Sequence, residues 1–309
     1  MGLVRDIAYV RYAAPDLDRM ESFLTDFGLQ RALRTERALY MRARGAAPFV
    51  HVTELAPEPR TVGFGLLASE ASALDAAAAA FGAPVEKSPE PGGGRRVRLT
   101  DPSGFAVELI YGQTPAPALP MRAPLHGNPA VGRERLGSPI RLAPGPSNIV
   151  RLGHVALLVS DLAASAAFYA RLGLRASDHY FAGVPENIIG SFLACDLGAD
   201  YTDHHTIAIA ASQGAPARFD HSAFEVIDLD DLMQGNAYLQ SKGRTHSWGV
   251  GRHIEGSQIF DYWRDPWGHK VEHWTDGDLV NASTPVGRAP LSPTAFAQWG
   301  PPLSPEFLS

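Results

Sequence analysis

Two stretches of the chain repeat the same order of apolar and polar positions. In each, a strand-like apolar run, Ile7 to Arg11 or His154 to Val159, precedes a segment that begins with Asp-Leu and ends with Gly-Leu, at 16–29 and 161–174. An Asp at the front suits the N-cap of a helix, and a Gly at the end suits its C-terminal stop. The pattern predicts a strand followed by a helix of about three turns in each stretch.

A second phrase, Asp-Pro-x-Gly, also occurs twice, at 101–104 and 265–268. Proline fixes φ and glycine tolerates positive φ, so the phrase is typical of a turn. Apolar runs flank both copies and predict a β-hairpin in each half of the chain. The predicted strands are 96–100 with 105–111, and 258–263 with 269–274.

The repeat divides the chain into two tandem modules, residues 1–112 and 148–276, and predicts an α+β fold. Residues 113–147 are rich in Pro, Gly and Ala and are interpreted as a linker. The tail, 277–309, is also rich in proline but keeps several large apolar residues. We expect it to pack on the protein, either as a lid over a site or as an oligomer contact. Its large apolar residues are Leu291, Phe296, Trp299 and Phe307.

The composition is that of a soluble globular protein, with 45% hydrophobic and 19% charged residues. The net charge of −6 includes no basic block, so we expect neither nucleic acid nor a membrane surface as a partner. A single cysteine, Cys195, excludes an intrachain disulfide. The start of the chain has no signal-peptide pattern, and we expect a cytoplasmic location.

Histidines are concentrated in the second module, and three positions there suit a metal ion. Any one of these histidines is more often an ordinary surface or interface residue, so the argument depends on their combined placement. His154 lies on the strand before the Asp-Leu helix, His221 begins another apolar run, and Glu272 follows the second Asp-Pro-x-Gly turn. Two imidazoles and one carboxylate make the facial triad that suits non-haem Fe(II). Mn(II) and Zn²⁺ accept the same atoms, so the ligands alone leave the metal open.

The first module serves as an internal control for this prediction. Its counterparts of the three candidate ligands are Tyr9, approximately Gly63, and Glu108. These groups offer one carboxylate and no imidazole. We therefore predict one metal site, in the second module, with the first module as a scaffold.

The two modules resemble the paired βαβββ units of the vicinal oxygen chelate superfamily, and more closely the type I extradiol dioxygenases within it. The resemblance implies that each module is a curled mixed sheet around a cavity. It also implies an Fe(II)-dependent dioxygenase that cleaves a catechol-type ring with O2 next to the diol, giving a ring-opened semialdehyde. A homo-oligomer is the expected assembly.

Further residues of the second module match the family in order. His205, in Asp203-His204-His205-Thr206, resembles the family's acid–base histidine. His253, in Gly251-Arg252-His253, and Tyr262 resemble residues that hydrogen-bond the substrate's oxygens. The resemblance implies catalytic roles for His205, His253 and Tyr262. We expect His204 to point away from His205, because neighbours on a strand alternate faces.

Pocket walls are predicted less sharply. Trp248 and Phe192 are candidate substrate contacts, and the apolar segment 181–193 favours an apolar or bulky catechol. The cationic candidates for contact with an acidic substrate are Arg244, Arg252 and Arg264. Two other hypotheses stay open: a lyase or isomerase of the same superfamily, and a ligand-sequestering module without turnover.

Overall fold

The structure is a computed structural model that describes residues 2–292, 296–303 and 307. Eight strands and two helices form the first module. The strands are β1 (Val4–Ala14), β2 (Gln30–Arg34), β3 (Ala38–Arg42), β4 (His51–Leu55), β5 (Arg60–Ala68), β6 (Val85–Lys87), β7 (Arg95–Thr100) and β8 (Ala106–Tyr111), and the helices are α1 (Leu17–Phe27) and α2 (Ala71–Phe81).

The second module repeats this order of elements with one additional two-residue strand, and it is followed by two short strands of the tail. Its strands are β9 (Ile149–Val159), β10 (Leu174–Phe181), β11 (Ile188–Cys195), β12 (Thr202–Asp203), β13 (Ile207–Ala211), β14 (Arg218–Val226), β15 (Thr245–Arg252), β16 (Ile259–Arg264) and β17 (Lys270–Thr275), and its helices are α3 (Leu162–Arg171) and α4 (Leu229–Ser241). The tail adds β18 (Leu279–Val280) and β19 (Gly287–Pro290).

The sheet order confirms the duplicated α+β architecture predicted from the sequence. The first sheet runs β2-β3-β4-β1-β5-β8-β7-β6, and the second runs β19-β10-β11-β13-β9-β14-β17-β16-β15. Apart from the added edge strand β19, each strand of the second sheet has a counterpart at the same place in the first. In both sheets the central strand pairs in parallel on one side and antiparallel on the other, which makes each sheet mixed.

The predicted helix starts and hairpin turns have the expected local chemistry. Asp16 caps α1 by accepting a hydrogen bond from the backbone N of Arg19, and Asp161 caps α3 in the same way. Gly28 ends α1 with φ of 117°, a conformation that favours glycine. In the second hairpin, Asp265 Oδ1 accepts hydrogen bonds from the backbone N atoms of the turn.

The two modules share one apolar core. Polar contacts across the boundary reinforce this packing: Tyr12 Oη lies 3.0 Å from Ser222 Oγ, and His273 Nε2 donates to the backbone carbonyl of Phe27 at 2.7 Å. The first module therefore supports the back of the sheet that carries the candidate ligands.

Residues 113–147 form neither helix nor strand, and most of them are exposed. The tail, in contrast, returns to the second module. Its strand β19 pairs with β10, and Trp299 bridges Arg252 on β15. Within the described part of the chain, no helix has the length and apolarity needed to cross a membrane.

Acid should destabilise the fold through His51. This imidazole is fully buried against Tyr12, and burial lowers its pKa from 6.5 to about 3. Below pH 6.5 the unfolded chain therefore binds a proton that the folded chain does not. His51 then lowers the free energy of unfolding by about 1.4 kcal/mol per pH unit as the pH falls toward its folded pKa.

We predict that His51→Phe makes the free energy of unfolding, measured by denaturant titration, fall less steeply with acid. His126→Phe, on the exposed linker, is the control and should keep the slope of the unaltered protein. Equal slopes for all three proteins would contradict this role of His51.

Candidate active site

Three neighbouring strands bring the predicted ligands together. Ala223 on β14 pairs with His154 on β9 and with Glu272 on β17, so these residues form one row across the sheet. His221 lies two residues before Ala223 and faces the same side. The small side chain of Ala223 leaves the space between the ligands open. One ligand atom from each of the three lies within 4.8 Å of the others.

This group has the signature of a cation site. Nε2 of His154 and Nε2 of His221 each lie 3.3 Å from Glu272 Oε2. Glu272 is fully buried, and neither of its carboxylate oxygens has a hydrogen-bond partner among the described residues. A buried carboxylate without donors is costly, and a cation coordinated by the three groups would relieve that cost. The donor set fits a mononuclear ferrous ion or a similar divalent ion.

Electrostatics favour the metal-binding forms of His154 and Glu272. Burial lowers the pKa of His154, which keeps its imidazole neutral. Burial would raise the pKa of Glu272, but the facing imidazoles of His154 and His221 hold it below the ordinary value. Neutral imidazoles and an ionised carboxylate are the forms that bind metals.

A carboxylate behind His221 fixes the orientation of that ligand. Asp220 Oδ2 lies 2.8 Å from His221 Nδ1, and Lys270 Nζ donates to Asp220 Oδ1 at 2.7 Å. Burial would raise the pKa of Asp220, but His221 and Lys270 hold it well below the ordinary value. His221 therefore donates through Nδ1 and presents Nε2 to the site, as metal-bound histidines commonly do.

His205 lies beside the triad, and its neighbour His204 holds it there. The ring centroids of His205 and His154 are 4.2 Å apart, and His204 Nδ1 lies 3.1 Å from His205 Nδ1. The expectation that His204 points away is wrong. Residues 204–206 do not belong to a strand, so the alternation of faces does not apply to them.

His253 and Tyr262 form a hydrogen-bonded pair over the triad. Tyr262 Oη lies 3.0 Å from His253 Nε2, and His253 Nδ1 lies 2.7 Å from the carbonyl oxygen of Phe296 in the tail. Because a carbonyl only accepts, His253 donates through Nδ1, and Tyr262 donates to Nε2. Burial and the charge of Glu272 raise the pKa of Tyr262 well above its ordinary value, so Tyr262 is a neutral donor.

A cavity of about 360 Å³ opens over these groups, and its wall is mainly apolar. Trp248 and Phe192 both line it, with the Phe192 ring 4.9 Å from that of His205. Three residues of the tail close one side: Leu291, Phe296 and Phe307. The Phe307 ring lies 4.9 Å from the Tyr262 ring.

The arginines considered from the sequence have other partners. Arg244 pairs with Asp26 of the first module, Arg252 pairs with Asp276, and Arg264 donates to the carbonyl of Gly268. The cations that line the cavity are Arg218 and Lys270 instead.

Sequence reasoning missed Asp220, Lys270 and Glu255, which all line the cavity. Strict alternation would place Asp220 opposite His221, but a register shift between Phe219 and His221 breaks the alternation there. An Asp next to a candidate ligand was the one available signal for this contact.

The first module has no equivalent site. Tyr9 donates to Glu108, and Arg96 Nη1 lies 3.3 Å from the same carboxylate. A Cβ on Gly63, the counterpart of His221, would lie 2.0 Å from a backbone oxygen. No second cluster of three potential ligands occurs among residues 2–292, 296–303 and 307.

Comparisons with known proteins agree with this geometry. Residues 151–273 match the family model of the glyoxalase/bleomycin resistance protein/dioxygenase superfamily. Metapyrocatechase 2 of Cupriavidus necator is 30% identical over 308 residues, which cover 98% of this chain and 91% of the relative. Biphenyl-2,3-diol 1,2-dioxygenase of Sphingomonas paucimobilis is 28% identical over 55% of this chain and 51% of its own length.

Solved structures share the fold over nearly the whole chain. The Mn(II)-bound glyoxalase from Novosphingobium aromaticivorans superposes with a TM-score of 0.81 at 25% identity, covering 100% of this chain and 95% of that one. Homoprotocatechuate 2,3-dioxygenase from Brevibacterium fuscum, in a substrate complex, gives a TM-score of 0.79 at 20% identity, covering 99% and 92%.

The resemblance drawn from the sequence is thus confirmed by the full-length relative and by the family model of the second module. The chain belongs to the extradiol ring-cleaving dioxygenases of the glyoxalase/bleomycin resistance protein/dioxygenase superfamily.

Proposed function

We propose that this dioxygenase binds one Fe(II) ion through His154, His221 and Glu272 and opens a catechol ring next to its two hydroxyls. The observation that supports this most directly is the convergence of two imidazole nitrogens and one buried, unpartnered carboxylate. Three protein ligands on one face leave open positions for the two oxygens of a diol and for O2. Mn(II) suits the same donor set, and a Mn(II)-bound structural relative makes it the alternative ion.

The proposed reaction needs no further reductant. A catechol plus O2 has the composition of the ring-opened hydroxy-semialdehyde, so both oxygen atoms enter the product. The bound metal would supply the electronic coupling that lets a closed-shell ring react with O2. The remaining tasks are proton transfer, orientation and exclusion of water, and these belong to the side chains of the cavity.

His205 is the proposed acid–base residue. Burial lowers its pKa well below the ordinary value, so its imidazole is neutral at neutral pH. A neutral imidazole in the cavity accepts a proton from a substrate hydroxyl and returns it when the ring opens. His205 lies beside the triad, where a chelating diol would place its hydroxyls.

His253 and Tyr262 would orient the substrate's oxygens. Tyr262 is a neutral donor, and its hydroxyl can turn from His253 to a substrate oxygen. The tail would act as a lid, because the carbonyl of Phe296 holds His253 and the ring of Phe307 covers Tyr262. Covering these hydrogen bonds with apolar groups keeps water away from the reacting atoms.

The cavity favours a catechol with a bulky, apolar substituent. Two rows of cross-strand neighbours form the sheet beside His221, and alanines lie within both rows. The inner row is Phe192, Ala208, Ala156 and His221, and the outer row is Gly190, Ala210, Leu158 and Arg218. The small residues leave an apolar trough beside the metal ligands. Among the charged groups of the wall, Lys270 is paired with Asp220, Glu255 adds a carboxylate, and Arg218 lies at the end of the outer row.

A Lewis-acid lyase or isomerase is the second candidate, supported by the 25% identical relative described as a glyoxalase. Such chemistry needs the metal but not O2. Oxygen uptake therefore separates the two candidates.

The proposed reaction requires turnover that depends on O2. After anaerobic loading with Fe(II), addition of a catechol and then air should consume one O2 per substrate and give a yellow ring-fission product. His205→Phe should retain the metal, measured by elemental analysis, and lose most of the rate, by about 10²-fold or more. Substrate binding without oxygen uptake by the unaltered protein would overturn the dioxygenase proposal.

Asp220→Asn should weaken metal binding by about 10- to 100-fold, because His221 loses the carboxylate that orients it and raises its basicity. Competition with a chelator measures the affinity. Asp18→Asn, on the exposed surface of the first module, makes the same chemical change away from the site and should leave affinity unaltered. Equal affinities of the Asp220 variant and the unaltered protein would remove Asp220 from the metal site.

Filling the apolar trough should change substrate preference. Ala210→Phe should lower kcat/KM for an aryl-substituted catechol by about tenfold or more, with little change for unsubstituted catechol. Ala210→Ser, which keeps the volume small, is the control. A parallel loss on both substrates would show that the trough does not hold the substituent.

A further inference from the structure

A line of three side chains leads from His205 away from the cavity. His204 Nδ1 lies 3.1 Å from His205 Nδ1, and His204 Nε2 lies 2.6 Å from Asp178 Oδ2 on β10. Both histidines are buried, whereas Asp178 is partly exposed. None of the family positions identified from the sequence includes Asp178 or gives His204 a role in the reaction.

We propose that Asp178 and His204 are positioning residues that fix the tautomer of His205, with its proton on Nδ1 and the lone pair of Nε2 available in the cavity. This inference rests on the proposed acid–base role of His205. The inference concerns which nitrogen of His205 carries its proton. The hydrogen-bond donors and acceptors of Asp178, His204 and His205 determine this position.

The hydrogen bonds allow one assignment for neutral histidines. An ionised carboxylate only accepts, so His204 must donate to Asp178 through Nε2. A neutral imidazole carries one proton, which leaves Nδ1 of His204 as an acceptor. The contact at 3.1 Å then requires the proton of His205 to be on Nδ1. Nε2 of His205 is consequently unprotonated, and it is the ring nitrogen that can interact with the substrate.

Two glycines allow the neighbouring backbone to approach His204 and Asp178 closely. A Cβ on Gly256 would lie 2.9 Å from His204 Nδ1, and a Cβ on Gly287 would lie 1.8 Å from Asp178 Oδ1. Strand β19 places Gly287 directly opposite Asp178. A Cβ at either position would force the His204 ring or the Asp178 carboxylate to shift, so the two glycines are compatible with the observed contacts.

The arrangement has a direct chemical consequence. An unprotonated Nε2 can accept a proton from a substrate hydroxyl, whereas the other tautomer would present an N–H group to the oxygen of that hydroxyl. When His205 has accepted the proton, the lone pair of His204 and the charge of Asp178 stabilise the resulting cation. In serine proteases a carboxylate fixes the tautomer of the histidine base by a direct hydrogen bond. Here the carboxylate of Asp178 would act on His205 in the same way, but through His204.

The test uses Asp178→Asn, which keeps the shape but supplies an amide donor. The amide can donate to Nε2 of His204, which moves the proton of His204 to Nδ1 and that of His205 to Nε2. We expect kcat to fall by about 10²-fold or more, with KM for the catechol unchanged. Asp200→Asn, an exposed residue of the same module, is the matched control and should retain the activity of the unaltered enzyme.

A second readout is independent of turnover. In the metal-free protein with 15N-labelled histidine, the nitrogen shifts of His205 at neutral pH should show the proton on Nδ1. In Asp178→Asn the proton should move to Nε2. A proton on Nε2 in the unaltered protein, or unchanged nitrogen shifts and full kcat in the Asp178 variant, would overturn the proposal.

The result is distinguishable from failure of the proposed function. If the nitrogen shifts follow the prediction but His205→Phe retains full turnover, the tautomer assignment stands and the acid–base role of His205 fails. In that case Asp178 and His204 would still set the tautomer of His205, but this tautomer would have no part in the reaction. That result would overturn their positioning role in catalysis.

Discussion

A fully buried carboxylate with no hydrogen-bond donor lies at the centre of the second sheet, and the functional account depends on it. Glu272 faces the imidazoles of His154 and His221, and burial lowers the pKa of His154. No described donor hydrogen-bonds either oxygen of the Glu272 carboxylate. A divalent cation at that point would satisfy all three groups together. The surrounding residues support this site: Ala223 leaves space between the ligands, Asp220 orients His221, and a mainly apolar cavity lies over the three groups.

The duplicated layout was predictable because its signals are local. Asp caps, Gly stops and the Asp-Pro-x-Gly turns act through their own backbone hydrogen bonds, and both copies fold as those signals indicate. The convergence of His154, His221 and Glu272 was also predictable, since the repeat aligns three strands whose counterparts in the first module lack imidazoles. Two tandem sheets with one cluster of potential ligands follow from these features.

Other parts of the site depend on departures from regular strands, which the pattern does not reveal. The register shift before His221 brings Asp220 to the cavity, and the break at residues 204–206 turns His204 toward His205. The tail could be predicted to pack, because it is apolar, but its contact through the carbonyl of Phe296 involves no side-chain signal. Backbone contacts of this kind become visible only in three dimensions.

The most direct test of the central claim is anaerobic calorimetric titration of the metal-free protein with Fe(II), combined with X-ray absorption of the loaded form. The account predicts one ion per chain, bound by two imidazoles and one carboxylate, with binding strongly weakened in Glu272→Gln. The matched variant Glu225→Gln, on the same sheet but paired with Arg151, should bind as the unaltered protein does. Unchanged affinity in Glu272→Gln, or a coordination shell without two imidazoles, would contradict the account.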